Sequence, residues 1–307
     1  MTSVRWLIAA LFLVPALCSA SANAQETSQV AQTARADSVE AAASDANDTA
    51  GPVVWVAGVS TGLYDRDGGP QSPYVTASIT AYRGTAYERA AFTVYGSTLE
   101  QPDAALPSTY YLGSVGVGGN FDGWLVDAYA SFGHQAYGLV ETPVGRQRPT
   151  GSQGSGYFAA GLRVGRLLRP APRLFVTPTI ELQYARTRSL HHWFADGQPS
   201  DFEVPERALT GNLALRLDRA IGARNQHFIG VSFAHYESDN GLTALALDPE
   251  NPDIVKAVKT ADSWQQASVN GTFGLTSSLW LDLSAARTFG SVSGDSTSVS
   301  ASLRLRF

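Results

Sequence analysis

From Val53 to the last residue the chain alternates apolar and polar positions with period two, and helical periodicity is absent. In Ser296–Phe307, reading STSVSASLRLRF, one face carries Val299, Ala301, Leu303, Leu305 and Phe307. The other carries Ser298, Ser300, Ser302, Arg304 and Arg306. Such alternation marks a strand between two different environments. In Leu174–Arg186 the series Val176, Pro178, Ile180, Leu182 and Tyr184 opposes Thr177, Thr179, Glu181 and Gln183. In Arg207–Asp218, Leu209, Gly211, Leu213, Leu215 and Leu217 oppose Thr210, Asn212, Arg216 and Asp218. In Trp264–Leu275, Ala267, Val269, Phe273 and Leu275 oppose Gln266, Ser268, Asn270 and Thr272. The remaining candidate strands are Val53–Tyr64, Tyr74–Arg83, Glu88–Ser97, Thr109–Asn120, Trp124–His134, Gly156–Arg166, His227–Tyr236 and Leu279–Phe289. About twelve strands result, each near the ~10 residues that cross a bilayer at a tilt.

Alternation alone suits a soluble sandwich as well as a membrane barrel, and the connections separate the two. Asn120–Gly123 and Thr276–Ser278 are short joins. Gln135–Ser155, Thr187–Glu206 and Glu237–Ser263 are long and rich in Gly, Pro, Asp and Asn, so they are expected as loops. Short and long joins take turns, which puts all long loops on one rim, as in outer-membrane barrels with short periplasmic turns and long extracellular loops. Aromatic residues near strand ends (Tyr64, Tyr74, Tyr82, Tyr110, Tyr111, Trp124, Tyr157, Tyr184, Trp264, Phe289) are expected to form girdles at the two bilayer interfaces. Pro178 lacks an N–H and is expected to leave a local irregularity on the lipid side.

The N-terminus sets the compartment. Arg5, the apolar run Trp6–Leu17 and Ala22-Asn23-Ala24 read as a secretory signal peptide, residues 1–24, cut before Gln25. Residues 25–52 form a low-complexity segment, disordered or partly helical, with Ser28–Ala43 alanine-rich and helix-prone. Residues 53–307 are then the barrel. Cys18, the only cysteine, leaves with the signal, so disulfides and thiolate metal sites are excluded. With Arg5 gone, 21 basic side chains face 27 acidic ones, which excludes a nucleic-acid binder.

Three segments carry a family resemblance. Gly123–Gly133 reads GWLVDAYASFG, Tyr157–Arg186 contains GLRVGR and LFVTPTIELQYAR, and the chain ends in LRLRF. Together they resemble the translocator (β) domain of autotransporters, in which a C-terminal barrel carries an N-terminal passenger outward. The resemblance spans Val53–Phe307. It implies that Ser28–Ala43 corresponds to the family's pore-threading helix. It also implies that Phe307, the terminal aromatic residue, is the signal read by the barrel-assembly machinery. With about 28 residues between the cleavage site and the first strand, little or no passenger is expected.

Little else in the chain suggests chemistry. His191-His192 lack further spaced ligands, so no metal site is expected, and Gly116, Gly118 and Gly119 precede no helix and cradle no phosphate. Gly290-Ser291-Val292-Ser293-Gly294 lacks nucleophile-elbow spacing, and His134 and His235 have no evident serine partner, so neither an enzyme nor a cofactor is expected. The expected lumen is lined by Asp127, Arg163, Glu181, Arg216, Asp218, Asp282, Arg304 and Arg306, in mixed signs that pair and stiffen a narrow barrel. The resulting expectation is an all-β transmembrane antiparallel barrel in the outer membrane. Its N-terminus is periplasmic and its long loops extracellular, and it meets outer-membrane lipid and lipopolysaccharide. The alternatives are a small-solute channel and a structural or adhesive surface barrel acting through its loops.

Overall fold

The computed structural model describes residues 52–307 except 68–70, 102–103, 144, 150–151, 196–197, 223–225 and 248–254. The signal segment and Ser28–Ala43 lie outside the described residues. The strands, in chain order, are β1 (Val54–Arg66), β2 (Ser72–Arg83), β3 (Ala86–Gln101), β4 (Ala104–Phe121), β5 (Trp124–Tyr137), β6 (Val140–Thr142), β7 (Gly145–Gln147), β8 (Gly154–Arg166), β9 (Leu168–Ala171), β10 (Leu174–Ala195), β11 (Gln198–Ile221), β12 (His227–Leu247), β13 (Val255–Gly274), β14 (Leu279–Phe289) and β15 (Ser296–Arg306). All pairings are antiparallel. Twelve strands form one closed wall, with β1 bonded to both β2 and β15, while β6, β7 and β9 are short additions. Closure removes the sheet edges that hydrocarbon cannot solvate.

The even strand count places the start of β1 and the end of β15 on one rim, called here the seam rim. It carries tight turns, and Asp122-Gly123 makes one of them, with φ of 52° and 80° between Phe121 and Trp124. Two positive φ values in a two-residue loop give the turn twist that matches paired strands, and Asp-Gly tolerates them well.

The opposite rim, the hairpin rim, differs from the loops expected of it. Thr187–Glu206 is strand almost throughout, with β10 and β11 paired as far as Ala195↔Gln198. Within Glu237–Ser263, β12 and β13 pair as a ribbon, in register again from Leu242↔Thr260 to Leu247↔Val255 after an irregularity at Ser238. Gln135–Ser155 contains the β6–β7 hairpin. Gly, Pro and Asp residues end strands within a wall, but a two-stranded ribbon above it tolerates them, because each strand pairs on one side only.

The convex face of the wall is apolar. Val59, Ile79, Phe92, Val115, Leu182, Leu213, Phe233, Val269 and Leu303 are among its exposed side chains. The concave face carries the buried ones, and they sort into tiers. Near the hairpin rim Tyr74, Tyr95, Leu106, Tyr110, Leu112, Tyr157 and Leu190 cluster under Val140 of β6. Tyr95 and Tyr110 stack with centroids 4.3 Å apart. Near the seam rim Leu167, Phe175, Ala220 and Phe228 pack with Leu125. Polar and charged residues occupy the wall between the two clusters.

The aromatic-girdle expectation therefore needs correction. Tyr111, Trp124, Tyr184 and Phe289 are exposed on the convex face, but Tyr64, Tyr74, Tyr110, Tyr157 and Trp264 are buried on the concave one. Distance from a strand end was the wrong criterion; parity along the strand decides the side. Pro178 is exposed and lies in register opposite Leu215. It sits where the other neighbour of β10 changes, from β9 at Val176 to β8 at Thr179. The missing N–H thus falls at a break in the ladder.

Candidate functional site

The polar tier of the concave face is a chain of reciprocal charges. Register places Asp127 of β5 opposite Arg163 of β8, and Arg163 opposite Glu181 of β10, so signs alternate across three neighbouring strands. Arg163 donates to Glu181 Oε2 through Nη2 at 2.7 Å and Nε at 3.0 Å. Tyr129 Oη donates to Glu181 Oε1 at 2.9 Å, and Asn212 Nδ2 to Oε2 at 3.1 Å. Asp127 accepts from Arg89 Nη2 at 2.9 Å and from the Tyr87 hydroxyl. Each carboxylate is therefore both paired and hydrogen-bonded, the condition under which a buried charge is tolerated.

Glycine makes this arrangement possible. Tyr87 lies directly across from Gly118, and Tyr129 from Gly161. A Cβ at Gly118 would meet the Tyr87 hydroxyl and Val126 O at 2.5 Å, and one at Gly161 would meet the Tyr129 ring at 2.5 Å. With hydrogen in place of a side chain, each ring lies flat over its neighbouring strand and its hydroxyl reaches a carboxylate two strands away.

The remaining charges are bound more locally. Arg216 Nε donates to both oxygens of Asp218, on its own strand, at 2.7 and 2.8 Å. Arg304 donates to Asp282 at 2.6 and 3.0 Å, and Thr272 Oγ1 adds a bond to the same carboxylate at 2.7 Å. Hydroxyl pairs fill the face between them, with Ser232–Ser268 at 2.6 Å and Ser284–Ser300 at 2.5 Å. Asp127, Arg163, Glu181, Arg216, Asp218 and Arg304 are buried, whereas Asp282 is half-buried and Arg306 is exposed beside the seam.

Four members of the network were not singled out from sequence: Tyr87, Arg89, Tyr129 and Asn212. Parity was available for three of them. Arg89 shares its side with Ala91 and Thr93, Tyr129 follows Asp127 by two, and Asn212 shares a side with Arg216. Partner identity was not available, because it depends on register across strands.

Two groups have the residue types of a hydrolase. On the convex face Glu237 Oε1 lies 2.9 Å from His235 Nε2 and accepts from Ser263 Oγ at 3.1 Å. The carboxylate stands between serine and imidazole, so histidine is not placed to take the serine proton, as a triad requires. In the other group, Ser291 Oγ donates to Asp262 Oδ2 at 2.7 Å, and Val292 N to Oδ1 at 3.1 Å. That carboxylate pins the loop between β14 and β15. Among the described residues no three of His, Cys, Asp and Glu gather as a metal site.

Comparison with known proteins agrees with this architecture. A sequence model of the family described as Autotransporter beta-domain matches residues 86–286. The fold is similar to the translocator domain of autotransporter NalP from Neisseria meningitidis, with TM-score 0.62 and 14% identity, covering 94% of this chain and 100% of that one. It is also similar to the beta domain of the Bordetella autotransporter BrkA, with TM-score 0.57 and 15% identity, covering 84% and 100%. The transport unit of AIDA-I from Escherichia coli gives TM-score 0.51 at 10% identity, covering 86% and 93%. No curated protein sequence matches the chain.

Proposed function

Because the chain belongs to the autotransporter beta-domain family, an outer-membrane barrel family, we propose that it acts as a translocator unit, passing a polypeptide segment along its concave face. The observation that carries this reading is the paired polar tier inside an apolar wall. A passage for an extended peptide needs bound charges that do not trap the cargo, and here each carboxylate already has its partner. An ion-selective channel would instead present a ring of one sign. In this reading the seam rim faces the periplasm, the hairpins face outward, and the barrel-assembly machinery inserts the protein through its last strand. Lipid and lipopolysaccharide surround the convex face. Asp127, Arg163, Glu181, Arg216, Asp218, Asp282 and Arg304 line the passage, with Arg306 at its mouth.

The test is surface display. An epitope placed within residues 25–51 is expected to reach the outside of intact cells in a barrel-dependent manner. An epitope held in the periplasm by a correctly inserted barrel would overturn the reading. Planar-bilayer conductance with and without residues 25–51 asks in addition whether that segment fills the passage; equal, negligible conductance would count against both a plug and a channel.

A further inference from the structure

On the convex face, β10 and β11 present an ordered series of opposite residues toward the hairpin rim: Ile180↔Leu213, Leu182↔Gly211, Tyr184↔Leu209, then Arg186↔Arg207. The apolar residues of this series are exposed, as a lipid-facing surface is. The series ends in an aromatic residue, and the next pair outward consists of two arginines. At ~3.4 Å per residue, the arginines stand about 7 Å beyond Tyr184, at headgroup depth.

Directly opposed like charges destabilise a strand pair. Arg186 and Arg207 are both exposed, and among the described residues neither is in an ion pair. Among the described residues no neighbouring carboxylate is in an ion pair with either arginine. Glu203 lies 3.7 Å from Arg188, Asp239 accepts from Leu209 N at 2.7 Å, and Glu237 faces His235. A third cation lies beside this pair, because Lys259 donates from Nζ to the backbone O of Arg207 at 2.9 Å.

We propose that Arg186, Arg207 and Lys259 form a binding site for the phosphate monoester of a membrane glycolipid of lipid A type. Guanidinium forks match phosphate oxygens in pairs. A monoester, carrying about −1.5 to −2, balances three cations better than a singly charged phosphodiester does. The exposed apolar ladder beneath the arginines then receives the acyl chains. The assignment to the outer leaflet rests on the orientation proposed above.

Purified full-length barrel in detergent micelles, titrated with bisphosphorylated lipid A, phosphatidylglycerol or inorganic phosphate and read by native mass spectrometry and thermal shift, tests the site. Lipid A is expected to bind best, and R186Q/R207Q to weaken it by about tenfold per arginine removed. R186K/R207K should keep part of the binding that R186Q/R207Q loses, and R146Q, which removes an arginine outside the site, should bind lipid A like the parent. Unaltered lipid A binding by R186Q/R207Q, equal binding of phosphatidylglycerol, or equal displacement by inorganic phosphate would overturn the proposal. Heat-modifiable migration of the variants excludes misfolding as the cause. Orientation is tested separately in intact cells with an impermeant maleimide on A257C, using the parent chain as control. Absence of label there would overturn the outer-leaflet assignment while leaving the micelle result standing.

Discussion

Trp55 and Phe307 exchange two backbone hydrogen bonds: Trp55 N donates to Phe307 O at 3.1 Å and Phe307 N to Trp55 O at 2.9 Å. They form the first rung of the seam between β1 and β15, followed at once by Val56↔Arg306. The terminal residue is therefore part of the wall itself.

Backbone and side chain of Phe307 are separable. Deletion of Phe307 removes both bonds, worth about 1 kcal/mol each. F307A keeps both and loses only the ring. In refolding with purified chain, F307A is expected to match the parent in its urea midpoint, while the deletion falls below it. If, as proposed, the barrel-assembly machinery reads the aromatic ring, both are expected to insert poorly in cells. Normal membrane levels of F307A would show that the ring is not the signal.

The Glu181 cluster should respond asymmetrically. E181Q leaves the buried Arg163 guanidinium with only Asp127 opposite it, a carboxylate already bonded to Arg89 and Tyr87, at a cost of about 3 kcal/mol, whereas R163M/E181M replaces both charges and costs much less. Denaturant unfolding of the micelle-bound barrel measures both. A double variant as unstable as the single one would mean that the pair's attraction, and not its burial, dominates.

Among the glycines, Gly118 and Gly96 make a matched comparison. G118A drives a methyl into Val126 O and the Tyr87 hydroxyl, and about 1–3 kcal/mol of destabilisation is expected. Nothing lies within 4 Å of a Cβ at Gly96, so G96A should be neutral or slightly stabilising. Equal unfolding midpoints for the two variants would count against the packing described for Tyr87.

Among the described residues, the ribbon of β12 and β13 beyond Thr260 has strand pairing only within itself, since β11 parts from β12 at Thr210↔Ser238 and β14 from β13 at Gln265↔Phe289. Replacing Ala244–Val258 by an Asn-Gly turn should leave heat-modifiability and the unfolding midpoint close to those of the parent. A large loss of stability would show that the ribbon braces the wall.

Period two made most of the wall legible in sequence. Each of the twelve wall strands was located, and the face series in Leu174–Arg186 matches the alternation of buried and exposed residues in β10. Ser296–Phe307, the amphipathic strand read from its alternation, pairs with β1 and so closes the wall. The lengths of the hairpins were not legible, because Pro199, Pro205 and Gly241 read as strand breakers when ribbon and wall are not distinguished. Tyr64, Tyr74, Tyr110 and Tyr157 were placed on the wrong side by their nearness to strand ends, while Tyr111 and Tyr184 do face outward. The partners of Glu181 were hidden for another reason: Tyr129 lies 52 residues away and Asn212 lies 31, and only register joins them.

The wall also has a kinetic order written into its connectivity. Neighbours such as Arg83 and Ala86 meet across a two-residue turn, whereas Val56 meets Arg306 from the far end of the chain. Joining ends some 250 residues apart costs about 5 kcal/mol of chain entropy before any contact compensates for it. The hairpins can form on their own and dock in sequence, but the β1–β15 seam can zip only after every other strand is in place. Long-range pairing of this kind is slow. The slowest event in making this barrel is therefore its closure, and a nearly complete sheet with two open edges is the form that waits for it.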